Sequence, residues 1–199
     1  MKHPLHKLSL VHHSPVGTVD VKGNDLRQWA IQIFGKDVPV IPGRAYRVRL
    51  AVTTPIEGLC CWLRDDWARV LIPPGQTAAT MQALARHRDG CVHLTDVTSV
   101  FAAFQVAGPR SRSVLEKLTP LDLRPSRFPD LACAQGSVAK VHALVLRHDL
   151  AGLPAYWLFV SRDCGEFVHE TILHAGEEYG IVPFGDDAYD RLKRGFTDH

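Results

Sequence analysis

Two apolar runs, Leu59-Cys60-Cys61-Trp62-Leu63 and Trp67-Ala68-Arg69-Val70-Leu71-Ile72, are separated by only three polar residues, Arg64-Asp65-Asp66. Strands joined so briefly pair as an antiparallel hairpin, so the chain must build a sheet with at least one antiparallel ladder. Tyr46 to Val52 alternates polar with apolar side chains for most of its length, the period-2 pattern of a strand with one wet face. Further strands are expected at 91–94, 100–107, 137–147 and 155–160.

Helical spacing appears between these segments. Asn24 is placed to cap a helix over 25–34, which Gly35 ends. A second helix runs over 77–87, with Met81, Leu84 and Ala85 on one face. Pro109 suits the first turn of a helix over 110–118, and Asp163 with Glu166 forms a capping-box pattern before a last helix that reaches Tyr179 and stops at Gly180. Val38 to Gly43 is a turn, because two prolines forbid a central strand there.

Element order therefore repeats, and the expected architecture is α+β: two tandem α/β lobes with antiparallel or mixed sheets. Residues 1–44 read as a leader, irregular over 1–23 with room for one short strand, and a first helix; 45–182 read as the folded region with lobes at about 45–98 and 99–182, and 183–199 as a tail.

Composition removes several function classes. The 199 residues carry 23 basic and 21 acidic side chains, a net charge of +2 with no basic stripe, which argues against nucleic acid. No run approaches the ~18 apolar residues that a membrane helix needs, and the charged N-terminus lacks the apolar stretch of a secretory signal. A soluble, cytoplasmic chain is the expectation. The five cysteines include no C-x-x-C pair, and four of the 11 histidines crowd into the first 13 residues, where a rigid metal site is not expected. Cys60 and Cys61 are read as packed thiols, and His142, His148, His169 and His174 as surface or supporting groups. No G-x-G-x-x-G and no Walker motif is present.

Leu94-Thr95-Asp96-Val97-Thr98, then Phe104-Gln105-Val106-Ala107-Gly108-Pro109 and a short helix, resemble the middle of the glycine-cleavage T-protein and its relatives. In that family a D-x-S segment precedes a strand, a V-x-G-P turn and a helix. Arg147 to Val160 also lies without gaps on the family's folate segment, which reads like R-T-G-Y-T-G-E-D-G-F-E-I-Y-V: Arg147 meets its start, Gly152 its second glycine and Tyr156 its aromatic. The glutamate that grips the pterin becomes Trp157, an indole that can only donate. Pro55-Ile56-Glu57-Gly58-Leu59 is similar to the family's G-V-x-D-D-L, with Glu57 and Gly58 in place of the two aspartates.

Within that family the chain looks most like the gamma subunit of heterotetrameric sarcosine oxidase. Cys61 to Trp67 is similar to its L-x-P-D-E-W-L hairpin, and Leu118 to Leu123, Phe128-Pro129, Cys133-Ala134-Gln135 and Ala175 to Gly180 follow in order. The resemblance covers roughly 45–182, and the chain stops before the C-terminal barrel of complete aminomethyltransferases. It implies a folate-binding-type fold in a subunit without independent catalysis, within a complex that oxidises sarcosine to glycine with hydrogen peroxide and a one-carbon unit. FAD, FMN and NAD would sit on larger partner subunits. No cofactor is expected on this chain, with tetrahydrofolate as the one ligand kept open, and no metal. The alternative is a stand-alone folate-dependent enzyme using Glu57.

Candidate residues follow. A degenerate folate pocket would involve Glu57, Arg147, Tyr156 and Trp157. Interface candidates are Trp62, Arg64 and Trp67 around the hairpin, and Arg124 and Arg127 beside prolines, since tryptophan and arginine are concentrated at binding hot spots. No catalytic residue is assigned.

Overall fold

The structure, a computed structural model, describes residues 9–13, 16–35, 40–51, 55–86, 92–150 and 152–184. The expected turn at 38–43 and strand at 91–94 lie partly outside these residues. The chain divides into two compact units, a leading one at Pro15–Val100 and a trailing one made of Met1–Ser14 with Phe101–His199.

Strand β1 (Ser9–His13) belongs to the trailing unit although it opens the chain. The leading unit then runs β2 (Gly17–Lys22), α1 (Leu26–Phe34), β3 (Arg44–Leu50), β4 (Ile56–Arg64), β5 (Trp67–Ile72), α2 (Thr77–Ala85) and β6 (His93–Asp96). The trailing unit continues with β7 (Phe101–Ala107), α3 (Ser111–Leu115), β8 (Cys133–Val138), β9 (Val141–Arg147), β10 (Ala155–Ser161), α4 (Gly165–Gly176) and β11 (Val182–Phe184).

Each unit is the same β-α-β-β-β-α-β string. The leading sheet has the order β3-β4-β5-β2-β6, and the trailing sheet β8-β9-β10-β7-β1-β11. The second order reproduces the first with β1 inserted, antiparallel to β7 and parallel to β11. The expected leader is therefore not outside the lobes: β1 and β2 are internal strands of the two sheets, and β11 (Val182–Phe184) draws 183–184 of the expected tail into the trailing one. A short strand between Gly, Pro and His residues has too little periodicity to announce itself.

Alternation places one face of each sheet under helices. In the leading unit Val19, Val21, Cys60, Trp62, Ala68 and Val70 pack with Leu26, Trp29 and Ala30 of α1 and Leu84 of α2. In the trailing unit Phe104, Val106, Val145, Tyr156 and Leu158 pack with Val114 and Leu115 of α3 and Val168 and Ile172 of α4. Each such large side chain contributes about 1.5–3 kcal/mol on burial, so these two faces fix the register of their sheets.

The repeat extends to hydrogen bonds. Gly23 follows Val21-Lys22 and donates to Asp66 O at 2.9 Å, while Gly108 follows Val106-Ala107 and donates to Pro154 O at 3.0 Å. Both glycines adopt positive φ and both accept, at O, from the residue three positions on, Leu26 or Ser111. This glycine turn sets the helix start in each unit.

Local differences from expectation have physical causes. Where one strand is expected over 137–147, residues 133–147 form a hairpin, because Ala139 and Lys140 both take positive φ in the turn without any glycine to signal it. Helix α3 stops at Leu115, short of Leu118. Neither α1 nor α4 has a side-chain cap hydrogen bond; the Ser161 hydroxyl instead engages Asp163 and holds its carboxyl below the ordinary range.

Candidate functional site

Arg147 ends β9 directly across from Tyr156 on β10. Its guanidinium is fully engaged: Nε and one Nη donate to the two Asp149 carboxylate oxygens at 2.8 Å each, and the other Nη donates to Phe128 O at 2.9 Å. Asp149 N in turn donates to Asp130 Oδ1 at 2.8 Å. The Asp149 hydrogen bond holds Arg147 above its ordinary pKa against the opposing effect of burial. Arg147 therefore clamps the 128–132 segment onto the β9–β10 hairpin. Tyr156 lies beneath it on the helix-covered face, stacked on Phe128 at 6.5 Å, and burial pushes its phenol up despite the neighbouring guanidinium.

Trp157 occupies the other face, half-buried and stacked on Phe159 at 5.9 Å and 14°. The β7–β10 register sets Gln105 directly opposite it. Gln105 is 0 % exposed, and neither its amide oxygen nor its amide nitrogen has a hydrogen-bond partner among the described residues. Sequence reasoning missed Gln105. Its signal was the lone amide inside the apolar run 101–107.

The internal repeat gives this pair a counterpart. Aligning Val21-Lys22-Gly23 with Val106-Ala107-Gly108 makes Asp20 equivalent to Gln105, and the residues opposite them, Arg69 and Trp157, equivalent to each other. Arg69 donates from Nε to Asp20 Oδ1 at 2.6 Å and from Nη to Oδ2 at 3.1 Å, with both residues buried. One repeat thus holds a mutually satisfied ion pair where the other holds an amide facing an indole.

Glu57 lies in the leading unit, exposed on β4 and paired in register with Arg49. Beside it, a Cβ on Gly58 would come within 2.4 Å of Leu71 O, so this position has no room for an aspartate.

The interface candidates divide. Trp62 is 0 % exposed within the leading core, so its ring packs inward and is not presented to a partner; this corrects the sequence expectation, since alternation along β4 sends it inward with Cys60. Trp67 is half-buried, with Lys22 Nζ at 4.3 Å and the Arg64 guanidinium at 5.4 Å from its ring. Arg124 and Arg127 sit on an exposed turn between buried Leu123 and Phe128, and Arg124 donates to both oxygens of Asp122. No group of three or more His, Cys, Asp or Glu residues suited to a metal occurs among the described residues.

The described residues do not offer a pterin the carboxylate grip of the T-protein pattern. Trp157 has no acceptor, Gly58 admits no side chain, and Arg147 is tied to Asp149 and Phe128. Among the described residues the Gln105 amide is one of several buried polar groups without a hydrogen-bond partner, with those of Trp29, Trp67, Gln76 and Thr80.

Comparison with known proteins agrees with this framework. The chain is 31% identical over 205 residues to sarcosine oxidase subunit alpha of Rhizobium meliloti, matching 94% of this chain and 20% of that one. It is 30% identical to an aminomethyltransferase of Geobacillus thermodenitrificans, matching 90% of this chain and 50% of the relative. The chain thus spans between a fifth and a half of these curated relatives. Among solved structures, aminomethyltransferase T of the Bartonella henselae glycine cleavage system superposes with a TM-score of 0.78 at 13% identity, covering 94% of this chain and 50% of that one. A chain of heterotetrameric sarcosine oxidase from Corynebacterium sp. U-96 superposes at 0.72 with 16% identity, covering 90% of this chain and 89% of that one. The fold is aminomethyltransferase-like, with mixed α/β content and largely antiparallel sheets. The family described as the GCVT N-terminal domain matches residues 2–196, and the chain belongs to it.

Proposed function

We propose that this chain is a non-catalytic, gamma-type subunit of a sarcosine oxidase-like complex. The observation that carries the reading is the loss of two of the three acidic positions of the family pattern: Trp157 stands where the pterin-gripping glutamate would be, and Gly58, walled by the Leu71 carbonyl, stands for one of the two aspartates, with Glu57 at the other. A domain without the glutamate at the Trp157 position lacks the acceptor that grips a folate donor edge in the family pattern. Support also comes from the relatives, which include a sarcosine oxidase subunit alpha and one chain of a heterotetrameric sarcosine oxidase.

In this reading larger cytoplasmic subunits carry FAD, FMN and NAD and oxidise sarcosine or a related N-methyl amine. This chain docks through Arg64 and Trp67 on one unit and Arg124 and Arg127 on the other. No described helix is long and apolar enough to cross a membrane. The test is an assay of the isolated chain for tetrahydrofolate-dependent transfer of an aminomethyl carbon. No turnover is expected; turnover abolished by Glu57→Gln would instead establish the stand-alone transferase, which the aminomethyltransferase relatives and the solvent-facing Glu57 carboxylate favour.

A further inference from the structure

Helix α4 gives one face to its sheet and the other to solvent. Val168 and Ile172 are buried in the trailing core. Glycines bring both ends of the helix close to their neighbours: a Cβ on Gly165 would come within 2.9 Å of Ala102 Cβ, and one on Gly176 within 2.7 Å of Ile181 Cβ. These close approaches set the direction of the outer face. At 3.6 residues per turn Glu166, Phe167, Glu170 and His174 share that face, and all four are exposed.

Its charge is one-sided. Residues 163–180 contain Asp163, Glu166, Glu170, Glu177 and Glu178 and neither Lys nor Arg, in a chain whose net charge is +2. Three of these carboxylates are answered locally: Ser161 engages Asp163, Lys117 reaches Glu178, and His174 Nδ1 lies 3.5 Å from Glu177. Glu166 and Glu170 have no ion pair among the described residues, and one turn apart they repel each other.

Phe167 stands between them. At 54% it is the most exposed large hydrophobic residue among those described, and it stacks on no described ring. Phenylalanine is a middling helix former, so neither helix formation nor the core accounts for it. A solvated face would account for the two glutamates alone. Together they make an apolar knob inside a negative rim.

We propose that the outer face of α4 is a docking surface for a larger flavin-bearing chain of the complex, which receives Phe167 in an apolar socket rimmed by Lys or Arg side chains. This rests on the subunit reading. Charge selects the partner: two copies of this face would set Glu166 and Glu170 against like charges, whereas a basic rim answers both carboxylates. Aromatic side chains are enriched at the buried centres of interfaces, and a helix laid in a groove is read at positions i, i+3 and i+7, here Phe167, Glu170 and His174.

The test uses the full chain, tagged and expressed in its own cells at native abundance, as wild type, as Phe167→Ala and as the double variant Glu166→Lys with Glu170→Lys. Two readouts are taken: flavin absorbance recovered per chain, and hydroxyl-radical oxidation of Phe167 in the isolated chain and in the purified complex. Flavin recovery is expected to fall at least about tenfold in each variant with the melting temperature of the isolated chain unchanged, and Phe167 is expected to be oxidised in the isolated chain and protected in the complex. A wild type that recovers no flavoprotein overturns the subunit reading and this surface together. A wild type that recovers one while Phe167 is oxidised equally in both states, or while both variants recover as much flavin, overturns this surface alone. Protection of Phe167 in the isolated chain that grows with its concentration makes a second copy the occupant and overturns the proposal as well. Should Phe167→Ala fold poorly, the double charge variant supplies the same comparison.

Discussion

Asp20 and Arg69 face each other across β2 and β5 in a two-point ion pair, their side chains 8% and 4% accessible, at the position where the second repeat holds Gln105 and Trp157. Removing one member leaves a buried charge alone, which costs about 3–5 kcal/mol, whereas replacing both by apolar residues is often close to neutral. Asp20→Ala and Arg69→Leu should each destabilise by that amount. The double variant should be far more stable than the sum of the two losses, as denaturant unfolding in a double-mutant cycle would read.

Arg147 is expected to act as a strut. Its three guanidinium nitrogens reach Asp149 and Phe128 O, so Arg147→Lys, which loses the planar fork, should destabilise by about 1.5–3 kcal/mol. The specific sign is faster amide exchange at Leu131, whose N–H donates to Arg147 O in the clamped segment. Global destabilisation without that local change would contradict the clamp.

Gly58 is required by space. Its added Cβ would meet the Leu71 carbonyl at 2.4 Å and Ile72 Cγ2 at 3.0 Å. Gly58→Ala should cost about 1–3 kcal/mol through overpacking, and Gly58→Asp, the residue of the family pattern, should cost more. Thermal unfolding of both variants checks the order.

Lys140 sits at φ 66° in the β8–β9 turn. Lys140→Gly should stabilise the protein by up to about 1 kcal/mol, because the two-residue turn with both central φ values positive favours glycine at this position. A lower midpoint of urea unfolding would count against this turn.

Asp122 is held at a pKa of about 2, against an ordinary 3.8, chiefly by its side-chain hydrogen bonds from Arg124. A depressed carboxylate favours the folded state above pH 3.8, and that contribution disappears as pH falls through about 2. Carboxyl NMR titration should find this midpoint, and Arg124→Ala should return it towards 3.8.

Legibility followed periodicity. The β4–β5 hairpin, α1, α2, β7 and β10 could be read because apolar spacing and glycine or proline punctuation agree there. The β8–β9 turn was hidden because Ala139 and Lys140 adopt backbone angles that their identities do not advertise. The leader reads as having room for one short strand; that it holds two, β1 and β2, each internal to a sheet, was hidden because their apolar residues acquire meaning only beside β7, β11, β5 and β6, partners distant in sequence. At the candidate site the substitution at Trp157 was visible in the sequence, but the significance of Gln105 was not. That depended on a cross-strand register and on a repeat equivalence through Asp20 and Arg69.

The central claim is that this domain works as a part of a larger oxidase and performs no transfer itself. Affinity purification of the chain at native abundance from its own cells, followed by absorbance and a sarcosine-dependent peroxide assay, tests it most directly. The account predicts a stoichiometric flavin-bearing partner with peroxide production that the isolated chain lacks. Recovery of the chain by itself, with aminomethyl transfer to tetrahydrofolate in that fraction, would contradict it.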